Sequence, residues 1–176
     1  MTLRSLIRTT SATAALGALA LLPAAAPGEA VHAAAKKITS TGVGQVKLGM
    51  TAKELRERHL IGRVHEGCNL GGPNTRSARL RAPLKGQVNF TLTSPRKVTD
   101  ITITGGAKAR GVGIGATIAQ IKAAFPKAKV DHSTEQVFGI TLVRIPKDGG
   151  GRIKFAVDVD TKKVTLIGVP FIAFCE

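Results

Sequence analysis

Between Gly67 and Thr99 the chain carries no acidic residue but six cations: Arg76, Arg79, Arg81, Lys85, Arg96 and Lys97. Arginine offers carboxylate or phosphate a planar fork of N–H donors, and lysine adds a compact charge. This run is therefore a candidate contact for an anion or an acidic partner. Other constellations are weaker. The segment "HLIGRVHEGC" brings His59, His65, Glu66 and Cys68 together, but its spacing matches no familiar zinc pattern. "GVGIGAT" (Gly111–Thr117) precedes a helix start, where backbone N–H groups favour anions, yet it lacks the Walker lysine, and turn glycines explain it better. Hydrolysis needs a nucleophile with a base, or two facing carboxylates. The acids Glu54, Asp100, Asp131, Asp158 and Asp160 are scattered, and no nucleophile elbow occurs. The residues predict a chain that binds rather than catalyses, with no metal and no cofactor.

The charge balance agrees with a binding role. The 176 residues hold 26 Lys and Arg against 11 Asp and Glu, a net charge of +15. Such a surface attracts polyanions in a salt-dependent way. Nucleic acid is disfavoured as the partner, because Trp and Tyr are absent and few rings remain to stack on bases.

The compartment follows from the first 35 residues. Arg4 and Arg8 precede an Ala- and Leu-rich run from Ala12 to Leu22, then Pro23 and small residues. That order, basic then apolar then small, is that of a secretory signal peptide, cleaved after Ala33 or Ala35. The apolar run is too short and too interrupted to span a bilayer. Losing residues 1–35 removes Arg4, Arg8 and Glu29 and leaves 141 residues with a net charge of +14. The prediction is a free exported protein, secreted or associated with the cell wall, with no transmembrane segment after processing. Its partner would be an anionic cell-envelope polymer or a secreted protein.

The elements that must position the cations are written twice. "QVKLGMTAKEL" (Gln45–Leu55) and "GVGIGATIAQI" (Gly111–Ile121) align at an offset of 66 residues. Val46 falls on Val112, Leu48 on Ile114, Gly49 on Gly115, Thr51 on Thr117 and Leu55 on Ile121. Each threonine is followed three residues later by Glu54 or Gln120, the capping-box spacing. Helices are predicted over Ala52–His59 and Ile118–Phe125, the second stopped by Pro126. His59 aligns with Phe125 and is expected on the inner face of its helix. Downstream, "GQVNFTLTSPRKVTDI" (Gly86–Ile101) matches "GRIKFAVDVDTKKVTLI" (Gly151–Ile167), with period-two alternation in both. Each pair of runs is joined by a turn-rich hairpin, and "RVHEGCNL" and "ITLVRIP" supply one further strand per unit. "GGPNTRSARLRAPLKG" reads as a loop leading into an edge. The expected fold is α+β, a single domain over 36–176. Two tandem β-α-β-β-β repeats, 37–108 and 109–176, would share one mainly antiparallel sheet with two short helices on one face.

The phrase "VKLGMTAKEL" resembles the repeat of the β-lactamase inhibitory protein family and is similar to the single unit of the BamE (SmpA/OmlA) outer-membrane assembly lipoproteins. About twelve residues and the following hairpin carry the resemblance. It implies two such units in a continuous antiparallel sheet, whose concave face grips an enzyme in the inhibitor family. The chain departs from that family in having no Tyr or Trp and in reading "GAT" in its second copy, and from the lipoproteins in lacking a lipidated cysteine. The resemblance therefore carries topology and not activity. The leading expectation is a secreted, non-enzymatic protein that contacts an anionic partner through its basic surface. The alternative is a proteinaceous inhibitor of a secreted enzyme acting through its sheet face.

Cys68 and Cys175 are the two cysteines of the chain, and outside the cytoplasm an isolated pair is most simply a disulfide. Closing a loop of roughly 100 residues contributes on the order of 4–5 kcal/mol in the chain-entropy model. Mass analysis of the native mature protein after alkylation should find no modified thiol; two alkylated cysteines would overturn the pairing.

Overall fold

The computed structural model describes residues 35–67, 74–148 and 151–174. Cys68, Cys175 and all of the expected leader but Ala35 lie outside the described residues. Strands β1 (Lys36–Thr39), β2 (Gly42–Val43) and β3 (Val46–Lys47) lead to helix α1 (Ala52–Glu57). β4 (Ile61–Glu66), β5 (Arg76–Leu80), β6 (Lys85–Phe90), β7 (Val98–Gly105) and the short β8 (Ala107–Lys108) follow. The second half runs α2 (Ile118–Ala124), β9 (Lys129–Asp131), α3 (Glu135–Phe138), β10 (Ile140–Asp148), β11 (Gly151–Asp158) and β12 (Val164–Val169). Among the described residues no helix is long and apolar enough to cross a membrane.

The expected α+β fold, with two β-α-β-β-β repeats sharing one sheet, is not what the chain builds. Among the described residues the protein is mostly β, with two sheets and three short helices. Eight strands form an antiparallel sheet in the order β4-β5-β6-β7-β12-β11-β10-β9, and four short ones form a second sheet in the order β3-β2-β1-β8. Two physical reasons explain the difference. The strands of the small sheet are two to four residues long, too short for a period of two to show. And "RSARL" has none of the β-branched and aromatic residues that favour strands, yet it forms β5, hydrogen-bonded between β4 and β6. The segment read as a loop is an interior strand.

The twin glycine–threonine phrases do build the same local structure. Gly49 and Gly115 adopt φ of 80° and 83°, and a Cβ at either would meet nothing within 4 Å, so the left-handed conformation alone calls for glycine. The Glu54 backbone N–H donates to Thr51 Oγ1 at 3.2 Å while Thr51 N–H donates to the Glu54 carboxylate at 2.7 Å. Gln120 and Thr117 repeat this at 3.3 and 2.9 Å. The helices stop early, after six and seven residues. Beyond α1 the chain turns through His59, whose φ is 53°, and this histidine is exposed rather than on an inner face. Its counterpart Phe125 is buried and packs on Phe155, with ring centroids 6.1 Å apart.

Alternation divides the large sheet into two unlike faces. Val88, Ile101, Ile103, Phe155 and Ile167 are buried on one face, in a core closed by α1, α2 and the small sheet through residues such as Leu55, Ile121 and Val43. Among the described residues the opposite face is covered only in part. There the C-terminal segment crosses β12, and Ile172 packs with Leu142 and Ala156 in a second small apolar cluster. Gly168 permits the crossing, since a Cβ there would lie 2.3 Å from the Phe171 carbonyl oxygen and 2.5 Å from Ile172.

Replacing Thr51 or Thr117 by Ala removes one cap from each helix and should cost about 1 kcal/mol apiece. The caps share no partner, so the double variant should lose about twice that in a denaturant titration. A cost confined to one threonine would show that the repeated phrase is not repeated in energy.

Candidate functional site

The six cations singled out in the sequence do not form one patch. Strand pairing sets Arg76 beside the end of β6 and the start of β7, close to Arg96 and Lys97. Arg76 Nη1 donates to the Thr75 carbonyl at 2.8 Å and Arg96 Nη1 to the Asn74 carbonyl at 3.2 Å. Lys97 pairs through its backbone with Thr51 and lies near Glu54. Arg79, Arg81 and Lys85 lie at the opposite end of β5 and β6, where the Lys85 side chain runs over Gly105. Arg79 alternates with the buried Ala78 and Leu80, so its side chain leaves from the partly covered face.

On that face Arg79 borders a groove of about 650 Å³. The floor follows one cross-strand row, Arg79–Gln87–Thr102–Gly168. The far wall is apolar, with Phe138, Ile140, Leu166 and Phe174. Phe138 and Phe174 stack with centroids 5.0 Å apart and planes 12° from parallel. Local hydrogen bonds place Phe138. α3 is only four residues long, but Thr134 Oγ1 donates to the Ile140 carbonyl at 2.6 Å, and the Glu135 carboxylate accepts from His132 Nδ1 at 2.6 Å and from the Thr141 hydroxyl. Those two donors hold the Glu135 carboxyl below its ordinary range, the threonine contributing more.

A second group of cations lies elsewhere, around Ile145 and Pro146 of β10. Three adjoining crevices of about 220, 270 and 300 Å³ share those two residues. Their cationic lining is Lys37, Arg110, Lys127, Lys129, Arg144 and Arg152, and no acid among the described residues lines them. Arg110 holds a positive φ of 46° and sets its guanidinium 5.1 Å from the Phe125 ring centroid. Strand register places Lys129, Arg144 and Lys154 in one row. Burial pushes the Lys154 ammonium below its ordinary value, and the charges of Arg144 and Arg152 push it further. Asp131 pairs with Arg144 at 3.0 Å, a single carboxylate amid several cations.

A third row, His65–Ser77–Asn89–Asp100, crosses β4 to β7. Its residue types invite a hydrolytic reading that its geometry opposes. His65 Nδ1 lies 2.7 Å from the Glu66 carbonyl oxygen and 3.3 Å from Ser77 Oγ. A carbonyl only accepts, so Nδ1 carries the proton and cannot draw one from the serine. Asp100, 2% exposed, accepts from Asn89 Nδ2 at 2.8 Å and from the Thr99 hydroxyl at 3.0 Å rather than from histidine. Burial raises its carboxyl above the ordinary 3.8, the two hydrogen bonds opposing.

Comparison of the chain with protein-family models, curated proteins and solved structures found no match. The site rests on its geometry. Sequence reasoning missed the Ile145–Pro146 cations, which come from five separate segments, and the apolar groove wall. Thr102 and Leu166 did carry a signal: each alternates with core residues and must therefore point to the other face.

For Asp100 the raised folded value means that the native state holds the proton more tightly than the unfolded chain. The contribution of Asp100 to wild-type stability therefore falls as pH rises from 3.8 through the folded value. Asp100→Asn keeps the Asn89 bond, and the Thr99 hydroxyl can turn to accept. Thermal melts at several pH values should show the Tm of the variant gaining on wild type as pH rises, with the gain vanishing toward 3.8. A pH-independent gap would show that Asp100 is not strained by its charge.

Proposed function

We propose that the chain is an exported, non-enzymatic binding protein that engages an anionic polymer of the cell envelope. The contact surface is the cationic rim around Ile145–Pro146. The observation that carries this reading is the crowding of cations there. Six line three adjoining crevices, and beside them burial, with the charges of Arg144 and Arg152 added to it, holds the Lys154 ammonium below its ordinary value. Like charges held together cost free energy in the free protein, and a polyanion spanning the crevices relieves that cost. Arg110 supports the assignment, because a non-glycine residue at positive φ marks a locally disfavoured backbone that the fold nonetheless holds. The groups around β5 and β6 add to the long-range field that draws such a partner in. Those cations are split between two ends of the sheet and make weaker candidates for direct contact.

Co-sedimentation of the mature protein with purified cell-wall material across a salt series tests the reading. Binding should weaken steeply with salt. The triple variant R110Q/K127Q/R152Q should bind about tenfold more weakly at low salt, each exposed ion pair contributing about 0.5 kcal/mol. The control R76Q/R79Q/R81Q should lose less. The reverse order would return the contact to β5, and no binding at low salt would remove the envelope polymer as partner.

A further inference from the structure

The groove on the partly covered sheet face has a chemistry that the polyanion reading does not use. Its two walls differ. Arg79, exposed and without an ion pair among the described residues, stands at one side with Gln87 and Thr102 behind it. Phe138, Ile140, Leu166 and Phe174 form the other. Phe138 is 46% exposed, and Val137 and Phe171, near it in sequence or beside the tail, are 74% and 41% exposed. Apolar side chains left open beside a groove mark a surface that some apolar group covers. The second observation is Thr102 itself. It is 5% exposed, lines the groove, and its Oγ1 is the one buried side-chain polar atom among the described residues with no hydrogen-bond partner. A hydroxyl in that position lacks an acceptor, and most buried polar groups have one.

We propose that this groove binds a single-chain amphiphilic carboxylate, a medium-chain fatty acid or a molecule of that shape. The carboxylate accepts from the Arg79 guanidinium and the chain lies against Leu166, Ile140 and the Phe138–Phe174 stack. A carboxylate oxygen also accepts from the Thr102 hydroxyl, which lines the same groove. A neutral or cationic amphiphile lacks the head that Arg79 selects, and a small hydrophilic anion leaves the aromatic wall wet. The dimensions agree. The volume lies within the usual range for small-molecule sites. From Arg79 on β5 to Gly168 on β12 the row crosses three inter-strand spacings, about 14 Å, with Leu166 two residues further along β12, a span that suits an extended chain of roughly ten carbons with its head group. The site is independent of the cationic rim and stands or falls separately from it.

Titration calorimetry of the mature protein with decanoate, hexanoate and decyltrimethylammonium, each below its micellar concentration, tests the proposal. Decanoate should bind one-to-one and at least about tenfold more tightly than hexanoate, since each methylene gains part of its burial free energy. Decyltrimethylammonium should not compete. Arg79→Gln should weaken decanoate about fivefold and leave the preference for decanoate over hexanoate intact. Phe138→Ala should flatten that preference, with circular dichroism confirming the fold. The R110Q/K127Q/R152Q protein should bind decanoate as wild type does. Equal binding of the anionic and cationic amphiphiles would reduce the groove to an apolar patch and overturn the proposal. So would absence of decanoate binding, or binding lost in the rim variant and retained in Arg79→Gln.

Discussion

The pairing of β7 with β12 is the constraint on which the rest of the molecule depends. Ile103 sits opposite Ile167, Thr102 opposite Gly168, and Ile101 opposite Val169. All four of those aliphatic side chains are completely buried. Without this seam, β4–β7 and β9–β12 would each present an unpaired interior edge and half of a core. With it, eight strands form one surface, and the helices and the small sheet can close a single apolar layer over it. The same seam sets the other face. Gly168 beside Thr102 leaves room for the C-terminal segment to cross, and where that segment stops covering the sheet the groove begins.

The two faces answer to different physics. On the closed face, close packing dominates, and Phe155, Ile101 and Ile167 are the residues whose removal would leave cavities. The other face carries polar and charged rows whose members come from seven of the sheet's eight strands. A sheet concentrates charge in a way that a helix does not, because register places side chains from strands far apart in sequence about 5 Å from one another. Lys129, Arg144 and Lys154 meet by that rule, and the charge of Arg144 adds to burial in lowering the Lys154 ammonium. Asp100 illustrates the opposite outcome: a carboxylate without a cation that the structure retains through two hydrogen bonds while its charge is disfavoured.

Electrostatics and burial thus divide the surface between two kinds of attraction. In the proposed function the cationic rim acts through long-range, salt-sensitive charge. The groove combines one guanidinium with an aromatic wall, which is short-ranged and selective for shape. α3 serves the second by presenting Phe138, and it does so through side-chain hydrogen bonds from Thr134 and to Glu135 rather than through helix length.

How much of this was legible in the sequence depends on the range of the interaction responsible. The capping boxes at Thr51 and Thr117, the left-handed glycines Gly49 and Gly115, and the hairpins β6–β7 and β11–β12 were all readable. Each is decided by residues a few positions apart, through φ, a cap or a period of two. Long-range pairing decided the rest. It drew Arg76–Leu80 into the interior of the sheet despite its composition and separated the short N-terminal strands into a sheet of their own. It also split the run of six cations between two ends of β5 and β6 and gathered six others around Ile145 and Pro146. A cation's number in the chain says nothing of which strand will lie beside it, so the sequence determined that the protein would be basic, and only the tertiary structure decided where.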